Sequence, residues 1–154
     1  ATAEELSQRH FRLVCQLLEE YRVGPMPGLE EALDALRRRG IPFGVVSSSW
    51  RWYVEHCLRE LGMYEDAAVI VTGSDGLPLK PAPAPYQAAA RVFRPAPPGA
   101  VLAVEDSGSG VRSAVAAGLA CAAVYNPDSG AQDLSPARWR LNSLYELPAL
   151  LDGN

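Results

Sequence analysis

Apolar residues recur along this chain in two alternating rhythms, and the alternation sets the expected fold class. From Leu6 to Tyr21 the stripe Leu6, His10, Leu13, Val14, Leu17, Leu18 and Tyr21 returns every three or four residues, the period of an amphipathic helix. Gly24-Pro25 ends it. A second helical stretch follows Pro27-Gly28, with Glu30 and Glu31 in its first turn, Arg37 to Arg39 in its last and Gly40 as the stop. That charge order suits the helix dipole at both ends. Short unbroken apolar runs then take over: Ile41 to Val46, Ala67 to Thr72, Val101 to Val104 and Leu119 to Tyr125. Each reads as a strand, and Val101 to Val104, behind Pro97, Pro98 and Gly99, suits a strand buried on both faces of a parallel sheet. Between them, Trp50 to Leu61, Tyr86 to Phe93 and Val111 to Ala117 read as helices, the first stopped by Gly62, the second opened by Pro85, the third closed by Gly118. Trp139 to Leu141 reads as a short edge strand, and Ser143 with Glu146 as a capping box for a last helix. Strands alternating with helices of about ten residues predict an α/β fold, a doubly wound parallel sheet of Rossmann-like type.

One apolar run carries more than packing information. Val101 to Val104 hands over directly to Glu105, Asp106 and a Ser/Gly turn ending at Gly110. In an open α/β sheet, ligands bind beyond the carboxyl ends of the strands, so both acids fall where chemistry is expected. Two further loops belong to the same crevice: Ser47-Ser48-Ser49, and the turn-rich loop to Lys80, stiffened by Pro81, Pro83 and Pro85. A serine hydroxyl and backbone N–H groups at a helix start can bind phosphate oxygens, a lysine ammonium adds a point charge, and adjacent acids can hold magnesium. Taken singly, each feature has a plainer reading. Ser47 to Ser49 would be a helix N-cap, Lys80 a solvated loop lysine, and Glu105-Asp106 a turn leading into a cap.

Composition narrows the field. At 154 residues the chain is long enough for one domain with its own core. A net charge of −4 with scattered arginines gives no footprint for nucleic acid or an anionic membrane. Cys15, Cys57 and Cys121 are odd in number and lack CxxC spacing, which points to reduced thiols rather than disulfides or zinc. No apolar run approaches the ~20 residues of a membrane span, and the polar N-terminus lacks a signal-peptide pattern. A soluble, cytoplasmic protein is the expectation. The chain opens Ala1-Thr2 with no methionine before Met26, which fits processing, a cloning boundary or a start inside a longer protein. Other chemistries fit poorly. Gly108-x-Gly110 has Ser113 where a dinucleotide fingerprint needs its third glycine, no serine sits in a Gly-x-Ser-x-Gly elbow, and His56 beside Cys57 cannot share a helix face with it.

The three loops together resemble the haloacid dehalogenase superfamily of phosphohydrolases, in its branch of phosphoglycolate phosphatase and β-phosphoglucomutase, from about Pro25 to Leu151. The family's second motif, an apolar strand ending in Ser or Thr, is matched by Gly44-Val45-Val46-Ser47. Its third, a lysine followed by Pro-x-Pro, is matched by Lys80-Pro81-Ala82-Pro83. Its fourth is matched by Glu105-Asp106-Ser107, Gly110 and the later Ala117-Gly118. The resemblance implies that Ser47 and the Ser48 N–H bind the transferring phosphoryl group, that Lys80 neutralises charge, that Glu105 and Asp106 are ligands for Mg2+, and that the substrate is a small phosphorylated metabolite. Trp50 and Arg51, directly after the serine turn, are candidate substrate contacts, with core packing or a cap interface an equal reading for the tryptophan.

The family's first motif, an Asp-x-Asp that supplies the nucleophile and the general acid/base, occurs nowhere in the 154 residues. Residues 1–24 resemble the last helix of the family's helical cap, and 25–154 its α/β core without the first strand. The expectation is therefore a phosphomonoester hydrolase acting through an aspartyl-phosphate whose nucleophile lies outside this chain. A phosphomutase and a phosphate- or metal-binding pseudoenzyme or regulatory domain are the alternatives. The family's strand order puts the absent strand between those beginning at Ile41 and Val101, so the structure should show either a slot there or a direct pairing of the two.

Overall fold

A computed structural model describes residues 1–20 and 24–153. In chain order its elements are α1 (Ala3–Glu20), α2 (Leu29–Arg39), β1 (Phe43–Val46), α3 (Arg51–Glu60), β2 (Ala67–Val71), α4 (Ala84–Ala90), β3 (Leu102–Glu105), α5 (Gly108–Ala116), β4 (Ala120–Val124), β5 (Trp139–Leu141) and α6 (Leu147–Leu151), with short 3-10 turns between several of them. All strand pairs are parallel and helices alternate with strands, the α/β architecture expected.

β4 explains why its run is apolar without interruption. Cys121 and Ala123 face one core, with Tyr86, Ala103, Val111 and Ala114 of α4, β3 and α5. Ala122 and Val124 face the opposite core, with Ala32 of α2, Leu141 of β5 and Leu144 and Leu147 at α6. Successive side chains of a strand point to opposite faces, so a strand covered on both sides has no polar position left.

Several boundaries move for local reasons. β1 starts two residues later than the apolar run, and Ile41 is exposed. α5 starts at Gly108 rather than Val111, because the Ser107 hydroxyl accepts from Gly110 N at 3.1 Å and caps the helix earlier. The Ser143–Glu146 capping box does not form. Glu146 Oε1 instead accepts from the backbone N and the side-chain Nδ2 of Asn142, one residue upstream, and a 3-10 turn over Leu144–Glu146 precedes α6.

α1 is helical as its period requires, but none of its residues is buried. The Phe11 ring meets Trp52 of α3 edge-on with centroids 4.2 Å apart, and Val14, Cys15 and Leu18 are half-buried. Leu6, Leu13 and Leu17 form a second stripe that stays exposed, and Tyr21 lies outside the described residues. Among the described residues no helix is long and apolar enough to cross a membrane.

The sheet is in two parts. β1 pairs with β2, and β3, β4 and β5 pair in that order, with no ladder between β1 and β3 among the described residues. A cleft of ≈ 1150 Å3 separates them, lined by Phe43 to Val46 on one side and Val101 to Glu105 on the other. Ser47 N donates to Val71 O, and Ala120 N donates to Val101 O. By strand alternation, Gly44 and Val46 on β1, and Leu102 and Val104 on β3, therefore turn their peptide groups into the cleft. Val104, in the middle of an apolar parallel strand, is 37% exposed. Of the two expected outcomes, the structure has the slot.

The turn before α2 is held against the turn before α6. Gly28 has φ 87°, and a Cβ there would overlap the Tyr145 backbone N; Gly40, with φ 62°, has nothing within 4 Å. Both are left-handed, which costs an L-residue about 1–2 kcal/mol. Gly40→Ala is therefore expected to lose about that much in urea denaturation and Gly28→Ala at least twice as much. Equal losses would mean that the two turns do not touch.

Candidate active site

The carboxyl ends of β1 and β3, together with the loop after β2, converge on one buried ion pair. Glu105 closes β3 at 7% exposure, too buried for a carboxylate unless it is paired and hydrogen-bonded. Its Oε1 accepts from Lys80 Nζ and from the Tyr86 hydroxyl, the latter at 2.6 Å, while Oε2 accepts from the Ser107 hydroxyl at 3.3 Å. Gly110 makes the space, since a Cβ there would overlap the Glu105 carboxyl group. Lys80 Nζ also donates to the Val46 carbonyl at 2.9 Å, so one ammonium links β1 to β3 across the mouth of the slot. The pair reaches outward: burial, reinforced by the neighbouring Glu105, holds the Tyr86 phenol far above its usual range. Burial, again with Glu105 nearby, pushes the Cys121 thiol up to about 11.

Asp106 is held differently. It is half-buried, and its Oδ2 accepts from Asn126 Nδ2 at 2.7 Å and from the Ser129 hydroxyl at 2.9 Å. Both donors are neutral. Among the described residues, no cation pairs with it and its Oδ1 has no hydrogen-bond donor. The serine turn sits on β1's end. Ser47 is half-buried and its hydroxyl oxygen accepts from Ser49 N at 3.1 Å, which fixes the oxygen and leaves its proton free to donate.

Ser47, Ser48, Lys80, Glu105 and Asp106 all line the slot cleft. Trp50 and Arg51 are not among its lining residues. Trp50 is exposed, while the Arg51 guanidinium donates to both carboxylate oxygens of Asp75 at 2.7 and 2.9 Å, to Glu55 and to the Ile70 carbonyl. Those bonds bracket the start of α3, and with the Thr72 N–H they hold the Asp75 carboxyl below its usual range. Among the described residues no three His, Cys, Asp or Glu side chains come close enough to enclose a metal. Two adjacent carboxylates at a phosphate-sized cleft still suit Mg2+, which keeps several waters and takes one or two carboxylates plus substrate oxygens.

Sequence reasoning missed Tyr86, Asn126, Ser129 and Gln132. Tyr86 gives no signal beyond an aromatic residue in a helix. Asn126 to Ser129 could have been found, since they follow β4, the parallel neighbour of β3, and loops at the same end of adjacent parallel strands meet.

The family described as haloacid dehalogenase-like hydrolase matches residues 2–118. YhcW of Bacillus subtilis (strain 168), provisionally named a phosphatase, is 34% identical over 152 residues, which cover 97% of this chain and 67% of YhcW. CbbY of Rhodobacter capsulatus is 30% identical over 150 residues, 94% of this chain and 64% of that protein. Crystal structures of CbbY from Rhodobacter sphaeroides, one in complex with phosphate and one with xylulose-(1,5)bisphosphate, superpose with a TM-score of 0.77 at 30% identity, covering 86% of this chain and 60% of theirs. This chain thus spans about two thirds of the length of its curated relatives.

Tyr86→Phe removes one of the two donors on Glu105 Oε1 while keeping the ring. Hydrogen bonds to charged groups contribute about 1.5–3 kcal/mol, and a loss of that size is expected in urea denaturation. A loss below about 0.5 kcal/mol, the level of a surface substitution, would show that the phenol does not hold the carboxylate.

Proposed function

The chain belongs to the haloacid dehalogenase-like hydrolase family, and from that premise we propose that it forms most of the core of a Mg2+-dependent phosphomonoester hydrolase. The observation that carries this reading is the single cleft lined by Ser47, Lys80, Glu105 and Asp106 at the carboxyl ends of β1 and β3, beside the slot between those two strands, unpaired with each other. In this reading residues 1–24 are the end of a cap, 25–154 are the core, and the slot takes a parallel strand from outside these residues that brings the nucleophilic carboxylate.

Each side chain then has a task that its present contacts prepare. The Ser47 hydroxyl, its oxygen fixed by Ser49 N, donates to a phosphoryl oxygen, with the Ser48 N–H beside it. Lys80, anchored on Glu105 and Val46 O at the mouth of the slot, would lower the repulsion between an anionic nucleophile and the phosphate. Asp106 offers Oδ1 to the cation, and Glu105 retains capacity on Oε2. The cation supplies charge neutralisation on the transferring phosphoryl group. The incoming carboxylate forms the new P–O bond, the ester P–O bond breaks, and the leaving oxygen is protonated by an acid outside the chain; water then cleaves the acyl phosphate. A small phosphorylated metabolite of sugar-phosphate type is the substrate class, by analogy with the ligand in the CbbY complex.

A protein comprising this chain and a strand in the slot is expected to hydrolyse small phosphomonoesters only with Mg2+. Lys80→Ala should lower kcat by about 100-fold or more, the scale for losing one preorganised charge stabiliser, and Asp106→Asn should cut activity and Mg2+ affinity together. Hydrolysis that survives Lys80→Ala, or Mg2+ dependence unchanged by Asp106→Asn, would contradict the assignment.

A further inference from the structure

We propose that Asn126 and Ser129, on the loop after β4, are positioning residues that fix Asp106 Oδ2 and leave Oδ1 as the single oxygen presented to a divalent cation. The proposal rests on the reading of Asp106 as a cation ligand and deepens it.

Glu105 and Asp106 are adjacent in sequence, yet their surroundings divide the work. Glu105 has a cation, Lys80, on one oxygen, so its charge is already compensated. Among the described residues, the donors to Asp106 are neutral and both sit on the same oxygen, Asn126 Nδ2 at 2.7 Å and Ser129 Oγ at 2.9 Å. A carboxylate held this way has one oxygen occupied by hydrogen bonds and the other turned free, so it binds a cation through one oxygen. That is the mode suited to Mg2+, whose compact octahedral shell at 2.0–2.1 Å favours monodentate ligands and retained waters. Partners that orient a ligating carboxylate through hydrogen bonds commonly matter to metal affinity by 10–100-fold.

The loop is built to hold those two donors still. Asn126 Oδ1 accepts from Asp128 N at 3.0 Å, closing a tight turn. Gln132 Nε2 donates to the Ser129 carbonyl at 2.7 Å, and Gln132 Oε1 accepts from Gly108 N at 2.9 Å. Gly108 is two residues after Asp106, so the loop is fastened to the acid turn both at the carboxylate and just beyond it. A loop whose role was only to connect β4 to β5 would not need its polar side chains spent on one oxygen.

The test uses the 15N-labelled chain with Mn2+ alone as the probe, reading the Mn2+ concentration at half-maximal broadening of the amide signals of residues 105–108. Asp106→Asn should remove the specific broadening. Asn126→Ala with Ser129→Ala should raise the midpoint about tenfold, while Ser129→Thr, which keeps the hydroxyl, should restore the parent value in the single-site series. The remaining amide shifts report folding. If the double variant does not fold, Ser129→Ala against Ser129→Thr decides alone. A double variant with the parent midpoint, while Asp106→Asn still loses binding, overturns this proposal and spares the ligand assignment. A parent midpoint in Asp106→Asn itself overturns both.

Discussion

One ammonium group connects two strands that share no hydrogen bond of their own. Lys80 Nζ reaches Val46 O at the end of β1 and Glu105 at the end of β3, and much of what lies around it follows from the need to keep that charge satisfied. A buried cation needs a buried anion with good geometry, so Glu105 must stay inside. Tyr86 and Ser107 complete its hydrogen bonding, and Gly110 must lack a side chain. Among the described residues, no buried side-chain polar atom is left without a partner.

The same pair explains how a parallel sheet interrupted at its centre stays organised at its functional end. β3 is anchored from behind by β4, which is covered on both faces. β1 is anchored by β2 in a parallel ladder that ends with Ser47 N donating to Val71 O. Between them Lys80 bridges the Val46 carbonyl and the Glu105 carboxylate, at the end where the chemistry is placed. Burial of apolar surface builds the two halves; an ion pair sets their spacing at the carboxyl ends. The peptide groups that Gly44, Val46, Leu102 and Val104 turn into the cleft, unpaired by any strand among the described residues, mark the missing ladder.

The strand and helix order was legible in the sequence because parallel strands leave a plain signature: the runs at Ala67, Val101 and Leu119 contain no polar residue until their ends, although β4 alone of these is covered on both faces. The convergence of Ser47, Lys80, Glu105 and Asp106 was legible too, since loops at the carboxyl ends of parallel strands share a crevice. Details that depend on competition between polar partners were not. Glu146 had the spacing for a capping box, yet Asn142 offered it two donors and prevailed. Arg51 follows the serine turn, and its guanidinium is paired with Asp75, a contact that its place in the sequence does not announce. The tasks of Tyr86 and Asn126 arise from contacts 19 and 20 residues away in sequence, a separation that periodicity does not encode. α1 displays two apolar stripes of which α3 covers one, a distinction that needs the partner's position.

The central claim is that β1 and β3 flank a vacant strand position at which the site is completed. Hydrogen exchange of backbone amides tests it most directly. In the 154-residue chain, the amides of Gly44, Val46, Leu102 and Val104 are expected to exchange orders of magnitude faster than those of Ala122 and Ala123 in β4. They should become slow in a longer protein whose added strand fills the slot. If the four are as protected as β4 in the chain alone, β1 and β3 pair directly, the slot does not exist in solution, and the account of the site fails with it.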